Sequence, residues 1–535
     1  MTAATLPEAL RQAARVHATR TAVADSDRRL TFAELHLGVQ SAARALVSLG
    51  VRPGDRVCLW APNSWQWVVT ALATTYIGAA LVPLNSRYTG HEAVDVVRRT
   101  RARVVVLADG FLGRNQLDEL RSAAAEDGTS NGQLLSDCPD TVAVVRIEHP
   151  GATSVDDPRV VGFDRLRDLA SATTLDLVEE LAGAVTPDDV ADILFTSGTT
   201  GRSKGACSAH RQTLAVAEAW ATQGEVTAAD TYFVVNPFFH AFGYKAGLVV
   251  CLLRGVTIVT RPTFVVDELR TLMRTEQVSV LAAAPPVFQA LLEGHDRPTT
   301  LRLAVTGATL VPVALVERVQ RELGCAVVLT AYGLTEAVVA TMCRAGDAPE
   351  LVARTVGAPV AGFEVRVVDP VLGSDMQVGA EGEVWLRGAN VMLGYLDDPA
   401  ATAQAINPDG WLKTGDVGSL DAQGCLTITD RLKDVVIVGG FNVYPAEVEQ
   451  VLARLEDVVE AAAVGVPDER LGEVTMAYVV RRPGASLDEA AIIEHCRQRL
   501  ANFKVPRSVE FVEALPRNAS GKVLRRTLRG APIRG

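Results

Sequence analysis

The sequence predicts an α/β protein with a large, multi-layered N-terminal domain of mixed sheets and helices and a small mobile α+β C-terminal domain. Apolar runs of strand length alternate with helical patterns from about Leu30 onward, which is typical of α/β layering. From Glu381 the segments shorten and resemble antiparallel strands, which predicts a small β-subdomain. The chain has 535 residues. Because single hydrophobic cores stop growing near roughly 250 to 300 residues, more than one folding unit is expected.

The N-terminal part contains the clearest alternation of elements. Residues 5–20 form a mildly amphipathic pattern that predicts a helix. Residues 126–157 are polar, which predicts a surface excursion of the chain that carries no catalytic or binding residues. The apolar stretch 247–260 is too short for a membrane span and predicts a buried strand or helix. The remaining early predictions are strands at 56–60, 79–83 and 102–107 and helices at 64–78 and 91–101.

The C-terminal part predicts a second domain. Residues 382–388 and 424–430 read as antiparallel strands, and the short charged segment 430–434 reads as a hinge. We therefore expect one domain over residues 1–430 and a second over 431–535. The second domain is predicted to contain helices at 445–454 and 487–501 and strands at 458–466 and 476–481.

Composition excludes several classes of protein. The formal net charge is -11 and 48% of the residues are hydrophobic, which is typical of an acidic globular protein and argues against nucleic-acid binding. The eight cysteines are scattered, so neither a zinc site nor a disulfide framework is predicted. With no secretory signal pattern and no apolar stretch long enough for a transmembrane segment, we expect a cytoplasmic enzyme, either a monomer or a homodimer.

Lysine is rare in this chain and therefore informative. Only six of the 52 lysine and arginine residues are lysines, and five of the six lie in segments with the character of nucleotide or catalytic sites. Lys204 closes a loop of glycines and hydroxyl residues, and Lys522 lies in a second small-residue motif near the C-terminus. An ammonium group reaches a single oxygen in a narrow site where the broad guanidinium fork does not fit. Codon bias explains the scarcity of lysine but not these positions.

The loop at residues 196–205 predicts phosphate binding. A strand at 193–195 feeds directly into it, which is how backbone N–H groups are presented to phosphates. The loop is not a Walker A motif, because its lysine follows Ser203 and precedes Gly205. Its proposed phosphate-binding members are Thr196, Ser197, Gly198, Thr199, Thr200, Gly201 and Lys204.

Five motifs in a fixed order resemble the adenylate-forming superfamily of acyl-CoA synthetases, luciferases and peptide-synthetase adenylation domains. Besides the loop, they are residues 332–336 (Tyr-Gly-Leu-Thr-Glu), 413–416 (Lys-Thr-Gly-Asp), the run 430–449 and the segment around Lys522. The resemblance covers almost the entire chain. It departs from the family at Ser203, where many relatives carry proline.

The resemblance implies that the protein binds ATP and Mg²⁺ through residues from several motifs. Glu336 corresponds to the magnesium ligand, with Thr196 as a second candidate, and Thr335 to a hydroxyl that contacts phosphate. Tyr332 and Gly333 would lie at the adenine. Gly307, Ala308 and Thr309 would pass between adenine and the acyl pocket. Asp416 would accept hydrogen bonds from the ribose, assisted by Arg431.

The resemblance also implies a second half-reaction with coenzyme A. Lys522 would bridge the substrate carboxylate and the α-phosphate during adenylation. The small domain would then rotate about Lys433 and bring Gly439 and Gly440 to the site, where small residues let the CoA arm approach. The expected products are acyl-CoA, AMP and pyrophosphate.

The acid is expected to bind near residues 236–245, 284–288 and 306–309. His240, Phe242, Gly243 and Lys245 are the candidate pocket residues, and His240 resembles the histidine near the substrate carboxylate in the family. In the family, members that activate amino acids carry an aspartate in this segment to hold the ammonium group. None occurs between Phe238 and Tyr244, so the resemblance argues against an amino-acid substrate. Residues 239–245 weakly resemble bacterial synthetases that act on ring-containing propanoates from steroid breakdown. Lys245 either recognises a carbonyl or second carboxylate of such an acid or is an ordinary surface lysine.

The leading hypothesis is an AMP-forming acyl-CoA ligase acting on a fatty or ring-containing acid. The alternatives are an aryl-acid CoA ligase of the coumarate or benzoate type, a luciferase-like oxygenase, and a non-catalytic nucleotide-binding protein on the same scaffold. The last is disfavoured because Lys204, Glu336, Asp416, Arg431 and Lys522 are all present.

Overall fold

The fold is taken from a computed structural model. It describes residues 3–26, 28–125, 134–153, 155–196, 203–263, 265–293, 300–307, 311–432, 434–438, 441–468, 471–500, 502–517 and 523–529.

The helices of these residues follow in chain order. They are α1 (Leu6–Val16), α2 (Phe32–Ser48), α3 (Trp65–Tyr76), α4 (Gly90–Thr100), α5 (Gln116–Ala124), α6 (Leu166–Leu169), α7 (Leu175–Ala184), α8 (His210–Gln223), α9 (Ala241–Gly243), α10 (Val250–Arg254), α11 (Val266–Thr275), α12 (Pro285–Glu293), α13 (Val313–Glu322), α14 (Pro349–Arg354), α15 (Pro399–Ala405), α16 (Pro445–Leu452), α17 (Glu489–Arg497) and α18 (Arg525–Arg529). A π-helical segment, Tyr244–Val249, joins α9 to α10. Short 3₁₀ turns occur at Phe111–Gly113, Phe163–Arg165 and Ala170–Ala172.

The strands are, in the same order, β1 (Thr21–Ala24), β2 (Arg29–Thr31), β3 (Arg56–Trp60), β4 (Ala80–Pro83), β5 (Val104–Asp109), β6 (Ala143–Glu148), β7 (Val160–Gly162), β8 (Val190–Phe195), β9 (Gly205–Ala209), β10 (Thr231–Phe233), β11 (Thr257–Val259), β12 (Val280–Ala282), β13 (Leu303–Thr306), β14 (Val327–Leu334), β15 (Ala337–Met342), β16 (Ala358–Pro359), β17 (Phe363–Val368), β18 (Gly382–Gly388), β19 (Gly394–Tyr395), β20 (Leu412–Leu420), β21 (Leu426–Arg431), β22 (Val436–Val438), β23 (Phe441–Val443), β24 (Val458–Asp468), β25 (Gly472–Arg481) and β26 (Ser508–Phe511).

Contacts divide the chain into two compact units. The first contains residues 1–365 and 386–412, and the second contains 366–385 and 413–535. The boundary that the sequence predicts after residue 430 therefore differs from this division, in which residues 366–385 and 413–430 group with the C-terminal residues. The domain limits 1–430 and 431–535 stay a prediction.

Two large sheets form the first unit. One has the order β16-β15-β14-β13-β12-β10-β11-β1-β2, and the other has the order β19-β9-β8-β4-β3-β5-β6-β7. Strands β4, β3, β5, β6 and β7 pair in parallel, as the alternation of strands and helices predicts. All six residues of β5 are buried, which explains its continuous run of apolar residues before Asp109. The α/β class predicted from the sequence is confirmed.

Two predictions for the first unit need revision. The expectation of a surface excursion over residues 126–157 is wrong in part, because β6 lies within it and pairs with β5, with five of its six residues buried. The short apolar segment of β6 is flanked by polar residues, so the sequence pattern did not indicate a strand. Residues 247–260 contain both predicted alternatives, since they cover part of the π-helical segment, α10 and β11.

Most residues of two smaller sheets lie in the second unit. Strands β20 and β21 pair antiparallel, as the sequence predicts, within the order β17-β18-β20-β21. The other sheet is built on the long antiparallel pair β24 and β25. Helices α16 and α17 cover one face with Val448, Leu452, Ile492 and Cys496. The predicted α+β character of the C-terminal residues is confirmed.

A buried histidine ties the N-terminal helix to the centre of the first unit. The Leu6 N–H donates to His210 Nδ1 at 3.2 Å, so the neutral ring carries its proton on Nε2. His210 is fully buried, and this burial lowers its pKa to about 4, against a smaller opposing effect of Asp189.

Among the residues described, no helix has the length and apolarity needed to cross a membrane.

Acidification should destabilise the first unit through His210. Above its unfolded pKa of 6.5 the ring is neutral in both states and contributes no difference. Between 6.5 and about 4 the unfolded chain binds a proton that the folded chain does not, so the free energy of unfolding falls as the pH falls. Urea unfolding should show a loss of ~2 kcal/mol from this group between about pH 7.5 and about pH 5.

The matched control is His210→Asn, which keeps an acceptor for the Leu6 N–H but does not titrate. The variant should lose less stability than the original protein over the same pH interval. Equal losses in the two proteins would contradict the assignment.

Candidate active site

The ends of the predicted phosphate loop are joined at its base. β8 and β9 pair antiparallel, with Phe195 opposite Gly205. Beyond them the Thr196 N–H donates to the Lys204 carbonyl at 2.9 Å, and the Lys204 N–H donates to Thr196 Oγ1 at 3.4 Å. Arg99 supports the same base, because it donates to the Ser203 carbonyl at 2.8 Å. The two ends are therefore fixed side by side, whatever the path of the loop between them.

Several predicted site residues lie outside the described part of the chain. They are Ser197, Gly198, Thr199, Thr200, Gly201, Ala308, Thr309, Lys433, Gly439, Gly440 and Lys522. Their roles stay predictions.

The motif at residues 332–336 forms a tight hairpin. Tyr332 and Gly333 lie near the end of β14, Thr335 and Glu336 form the turn, and β15 follows. A Cβ on Gly333 would lie 2.4 Å from the backbone nitrogen of Val339, so only glycine permits this close approach of the two strands. The turn presents the hydroxyl of Thr335 and the carboxylate of Glu336 next to each other, and both residues are partly exposed.

Tyr395 connects this hairpin with the phosphate loop, and the sequence did not point to it. Its hydroxyl donates to Glu336 Oε1 at 2.7 Å. The ammonium of Lys204 lies 4.9 Å from the centre of its ring, within the range of a cation–π contact. Burial, together with the charge of Glu336, raises the pKa of Tyr395, so the phenol stays protonated and remains a donor.

The only available signal for Tyr395 was its place in a Gly-Tyr pair that follows a run of short strands. That pair forms β19, which pairs antiparallel with β9, and this pairing places Tyr395 opposite Ala206, two residues after Lys204. Fifty-nine positions separate Tyr395 from Glu336 in the chain, so no local pattern joins them.

The predicted strip at Gly307 lies beside the tyrosine hairpin. β13 pairs in parallel with β14, with Thr306 opposite Thr330. A Cβ on Gly307 would lie 3.5 Å from the carbonyl oxygen of Ala331, the residue before Tyr332. Gly307 directly follows β13, and Tyr332 lies on the neighbouring strand β14. Their roles at the adenine stay predictions.

His240 lies in a tightly folded segment of the predicted acyl pocket. Its ring nitrogen Nδ1 accepts the Phe242 N–H at 3.2 Å, which leaves the proton of the neutral ring on Nε2. The residue is exposed, yet surrounding protein atoms desolvate it and lower its pKa. A side chain that lines a concave site is expected to be both accessible to solvent and surrounded by many protein atoms, as His240 is. A neutral His240 can therefore donate from Nε2 to a bound carboxylate.

Close backbone contacts shape the same segment. A Cβ on Gly243 would lie 2.2 Å from the Pro237 carbonyl oxygen, so the chain could not fold back here with any other residue. Asn63, which sequence reasoning missed, accepts the Phe238 N–H at 2.7 Å and donates to the Asn236 carbonyl at 3.0 Å. The segment is thus held against the loop that follows β3.

Lys245 occupies a position that neither sequence interpretation anticipated. It is 2% exposed, so the surface-lysine alternative is wrong. Its Nζ lies 2.9 Å from Asp192 Oδ1 and donates to Ser208 Oγ at 2.8 Å. The ammonium group is therefore engaged with core residues of β8 and β9, and the predicted contact with a substrate carbonyl gains no support from this geometry.

The predicted ribose-binding residues belong to the second unit. Asp416 on β20 lies opposite Arg431 on β21 in the antiparallel register. Asp416 is 5% exposed, and its N–H donates to Thr414 Oγ1 at 3.0 Å. The backbone therefore places these two residues opposite each other, and their role at the ribose stays a prediction.

Comparison with known proteins gives two family matches. Residues 10–396 match the family described as AMP-binding enzyme, and residues 447–522 match the AMP-binding enzyme C-terminal domain.

Two curated relatives share the same printed name, 3-[(3aS,4S,7aS)-7a-methyl-1,5-dioxo-octahydro-1H-inden-4-yl]propanoyl:CoA ligase. The protein from Rhodococcus jostii is 52% identical over 529 residues, which is 98% of each chain. The protein from Mycobacterium tuberculosis is 50% identical over 532 residues, again 98% of each chain.

Solved structures agree over almost the whole length. ATP-bound MatB from Rhodopseudomonas palustris has a TM-score of 0.85 at 30% identity and covers 99% of this chain and 98% of its own. A fatty acyl CoA synthetase from Mycobacterium tuberculosis has a TM-score of 0.74 at 29% identity, with 98% of each chain covered. The resemblance to adenylate-forming enzymes and the prediction of an acyl-CoA ligase are confirmed, and the chain belongs to the AMP-binding enzyme family.

Proposed function

We propose that the protein is an ATP-dependent, AMP-forming acyl-CoA ligase that activates a ring-containing propanoate carrying ring carbonyls. The class rests on one observation above all, which is the cluster of Lys204, Tyr395 and Glu336 at the base of the phosphate loop. The choice of acid rests on the two relatives named for an oxo-indenyl propanoate, which match at 52% and 50% identity over the full length.

In the first half-reaction an oxygen of the substrate carboxylate attacks the α-phosphorus of ATP. The bond from that phosphorus to the bridging oxygen breaks, and pyrophosphate leaves. Negative charge from three phosphates and one carboxylate must be brought together, so the site needs cations and fixed donors. Lys204 supplies a cation at the phosphate loop, and the neutral His240 supplies an N–H for the carboxylate.

The described residues fit magnesium brought in with the nucleotide. Mg²⁺ is commonly held by one or two protein carboxylates together with substrate phosphates and water. Glu336 provides one carboxylate, and the Thr196 hydroxyl lies at the loop base. Nowhere in the described ranges do three His, Cys, Asp or Glu side chains gather into a site that could hold a metal alone. When bound, the ion would neutralise charge on the phosphate oxygens.

Tyr395 is assigned to orient Glu336. A hydrogen bond to a charged acceptor is stronger than one between neutral groups, and it restricts the carboxylate to one rotamer. The remaining carboxylate oxygen then faces a defined direction. The ring of Tyr395 meanwhile limits where the ammonium of Lys204 can lie.

In the second half-reaction the thiol sulfur of CoA attacks the acyl carbon and loses its proton. The bond from that carbon to the phosphate oxygen breaks, and AMP leaves with the electron pair. We assign Lys522 to the first step alone and Gly439 and Gly440 to the approach of CoA, with Lys433 as the pivot between the two steps. Support comes from the family resemblance and from the match of residues 447–522 to the family's C-terminal domain. Cytoplasmic location and a monomeric or homodimeric state also stay proposals.

Pyrophosphate release tests the overall proposal. ATP-dependent release should require an acid, and it should be fastest with oxo-substituted bicyclic propanoates, slower with medium-chain fatty acids and slowest with benzoate or coumarate. Thioester should form only when CoA is added. If kcat/KM is highest with an aryl acid, the protein is instead a ligase of the coumarate or benzoate type. Oxygen-dependent light emission would instead indicate a luciferase-like oxygenase.

Replacement of Lys522 should separate the half-reactions. Lys522→Ala should lose pyrophosphate release while still converting a supplied acyl-adenylate and CoA into thioester, because the ammonium acts only on the α-phosphate. Single-turnover assays of each step measure this. Lys504→Ala is a control, since Lys504 is paired with Glu447 at 2.7 Å and should retain adenylation. Equal loss of both steps in Lys522→Ala would contradict the role.

Removal of the Tyr395 hydroxyl should weaken the use of magnesium and ATP. Tyr395→Phe keeps the ring under Lys204 but deletes the donor to Glu336, and hydrogen bonds to charged groups contribute about 1.5–3 kcal/mol. We therefore expect kcat/KM for ATP to fall about tenfold or more, with a higher half-saturating Mg²⁺ concentration.

Tyr76→Phe is a matched control, because the Tyr76 hydroxyl also donates to a glutamate, Glu179, at 2.7 Å. It should leave kcat/KM unchanged. A Tyr395→Phe variant with the magnesium dependence of the original protein would exclude the orienting role.

A further inference from the structure

A buried ion pair links two parts of the first unit that carry predicted site residues. Lys245 is 2% exposed and Asp192 is completely buried, with Lys245 Nζ and Asp192 Oδ1 2.9 Å apart. Asp192 Oδ1 accepts no directed hydrogen bond within the described ranges, so this contact is one of charge. The other carboxylate oxygen accepts the Thr213 hydroxyl at 2.6 Å, and Ser208 Oγ accepts from Lys245 at 2.8 Å.

Asp192 and Lys245 lie on two elements that carry different predicted site residues. Asp192 is on β8, directly opposite Ser208 on β9, and these strands run into the base of the phosphate loop at Thr196 and Lys204. Thr196 lies four positions after Asp192, roughly 13 Å along a strand. Lys245 lies in the π-helical segment that follows Ala241–Gly243, five residues after His240. The pair therefore joins β8 and β9, which lead into the predicted phosphate loop, to residues 236–245, which we call the acid-binding segment.

Stability alone is a poor explanation for this pair. Burying two opposite charges costs desolvation energy that their attraction often fails to recover, and apolar replacements of similar volume are commonly neutral or stabilising. The chain also uses lysine only six times. In addition, π-helical turns are rare and occur frequently at functional sites. A buried ion pair that costs desolvation energy, in a turn of this kind, is better explained by the positions of the segments that it connects.

Close contacts hold the acid-binding segment together between His240 and Lys245. Gly243 packs so closely on Pro237 that a Cβ would lie 2.2 Å from its carbonyl oxygen, and the Tyr244 N–H donates to the His240 carbonyl at 3.0 Å. The ring of Tyr244 packs edge-on against Trp67, with ring centres 5.9 Å apart. A shift of Lys245 would therefore move His240 with it.

We propose that Lys245 and Asp192 form a positioning pair that sets the distance between the bound acid at His240 and the phosphate loop at Thr196 and Lys204. Neither residue touches the reactants. The inference rests on the proposed adenylation reaction, because it is the approach of carboxylate to α-phosphorus that the pair would control. Misplacement of reacting groups by about 1 Å costs about a hundredfold in rate, so a distant pair can act in this way.

The test separates alignment from stability. Lys245→Met leaves Asp192 buried without its partner and should lower both the melting temperature and the rate. The double variant Lys245→Met with Asp192→Asn removes both charges and keeps an acceptor for Thr213, so the melting temperature should recover. We expect kcat for pyrophosphate release to stay reduced by about 30- to 100-fold, with dissociation constants for ATP and for the acid changed by less than about threefold.

A second buried ion pair of the same unit is the matched control. Arg146 and Asp109 lie 2.7 Å apart with side chains 5% and 0% exposed, on β6 and β5. Arg146→Met with Asp109→Asn should change the melting temperature and leave kcat unaltered. A Lys245–Asp192 double variant that regains both stability and kcat would overturn the proposal. Absence of acid-dependent pyrophosphate release by the original protein would instead refute the adenylation reaction itself.

Ser208→Ala provides an independent route if the Lys245 variants do not fold. It removes one hydrogen bond of the ammonium on the β9 side and keeps the ion pair. We expect a lower melting temperature, because one hydrogen bond to a buried charged group is lost. Well below that temperature we expect a lower kcat with an unchanged KM for ATP. An unchanged kcat would again contradict positioning by this cluster.

Discussion

The antiparallel pairing of β8 with β9 is the constraint on which the candidate site depends. The ends of a loop proposed to bind phosphates must stay fixed relative to the other reactants. Adjacent antiparallel strands achieve this, because the hydrogen bonds between Thr196 and Lys204 close the base of the loop. β9 also pairs with β19, so the same sheet edge positions Tyr395.

Electrostatic need explains the grouping around that edge. ATP and an acid both bring negative charge, and a carboxylate such as Glu336 would repel them unless a cation or metal is present. Near Glu336, the ammonium of Lys204 lies over the ring of Tyr395, and the Tyr395 phenol stays protonated and can donate a hydrogen bond. Groups that are held by such contacts before a nucleotide binds need less reorganisation during a reaction.

Buried polar side chains carry much of the alignment in the first unit. Asn63 binds the segment that leads to His240, His210 receives the N-terminal helix, and Lys245 meets Asp192. Apolar contacts tolerate small sliding movements, whereas hydrogen bonds and ion pairs in a dry core depend on one arrangement. The two substrates of a ligase must meet at one distance, so directional contacts of this kind are well suited to its scaffold.

The sequence by itself determined the α/β class, the order of most elements and the family, because hydrophobic periodicity and short motifs are local properties of the chain. It also proposed Lys204, Glu336, Asp416 and His240 as site residues, because their motifs are contiguous, and these roles stay predictions. Only the tertiary structure decided that Tyr395 joins Glu336, that residues 143–148 form a buried strand, and that Lys245 is a core partner of Asp192. Those contacts join residues about 50 to 60 positions apart or hide among polar neighbours, and side-chain pairing over such separations is set by packing rather than by local pattern.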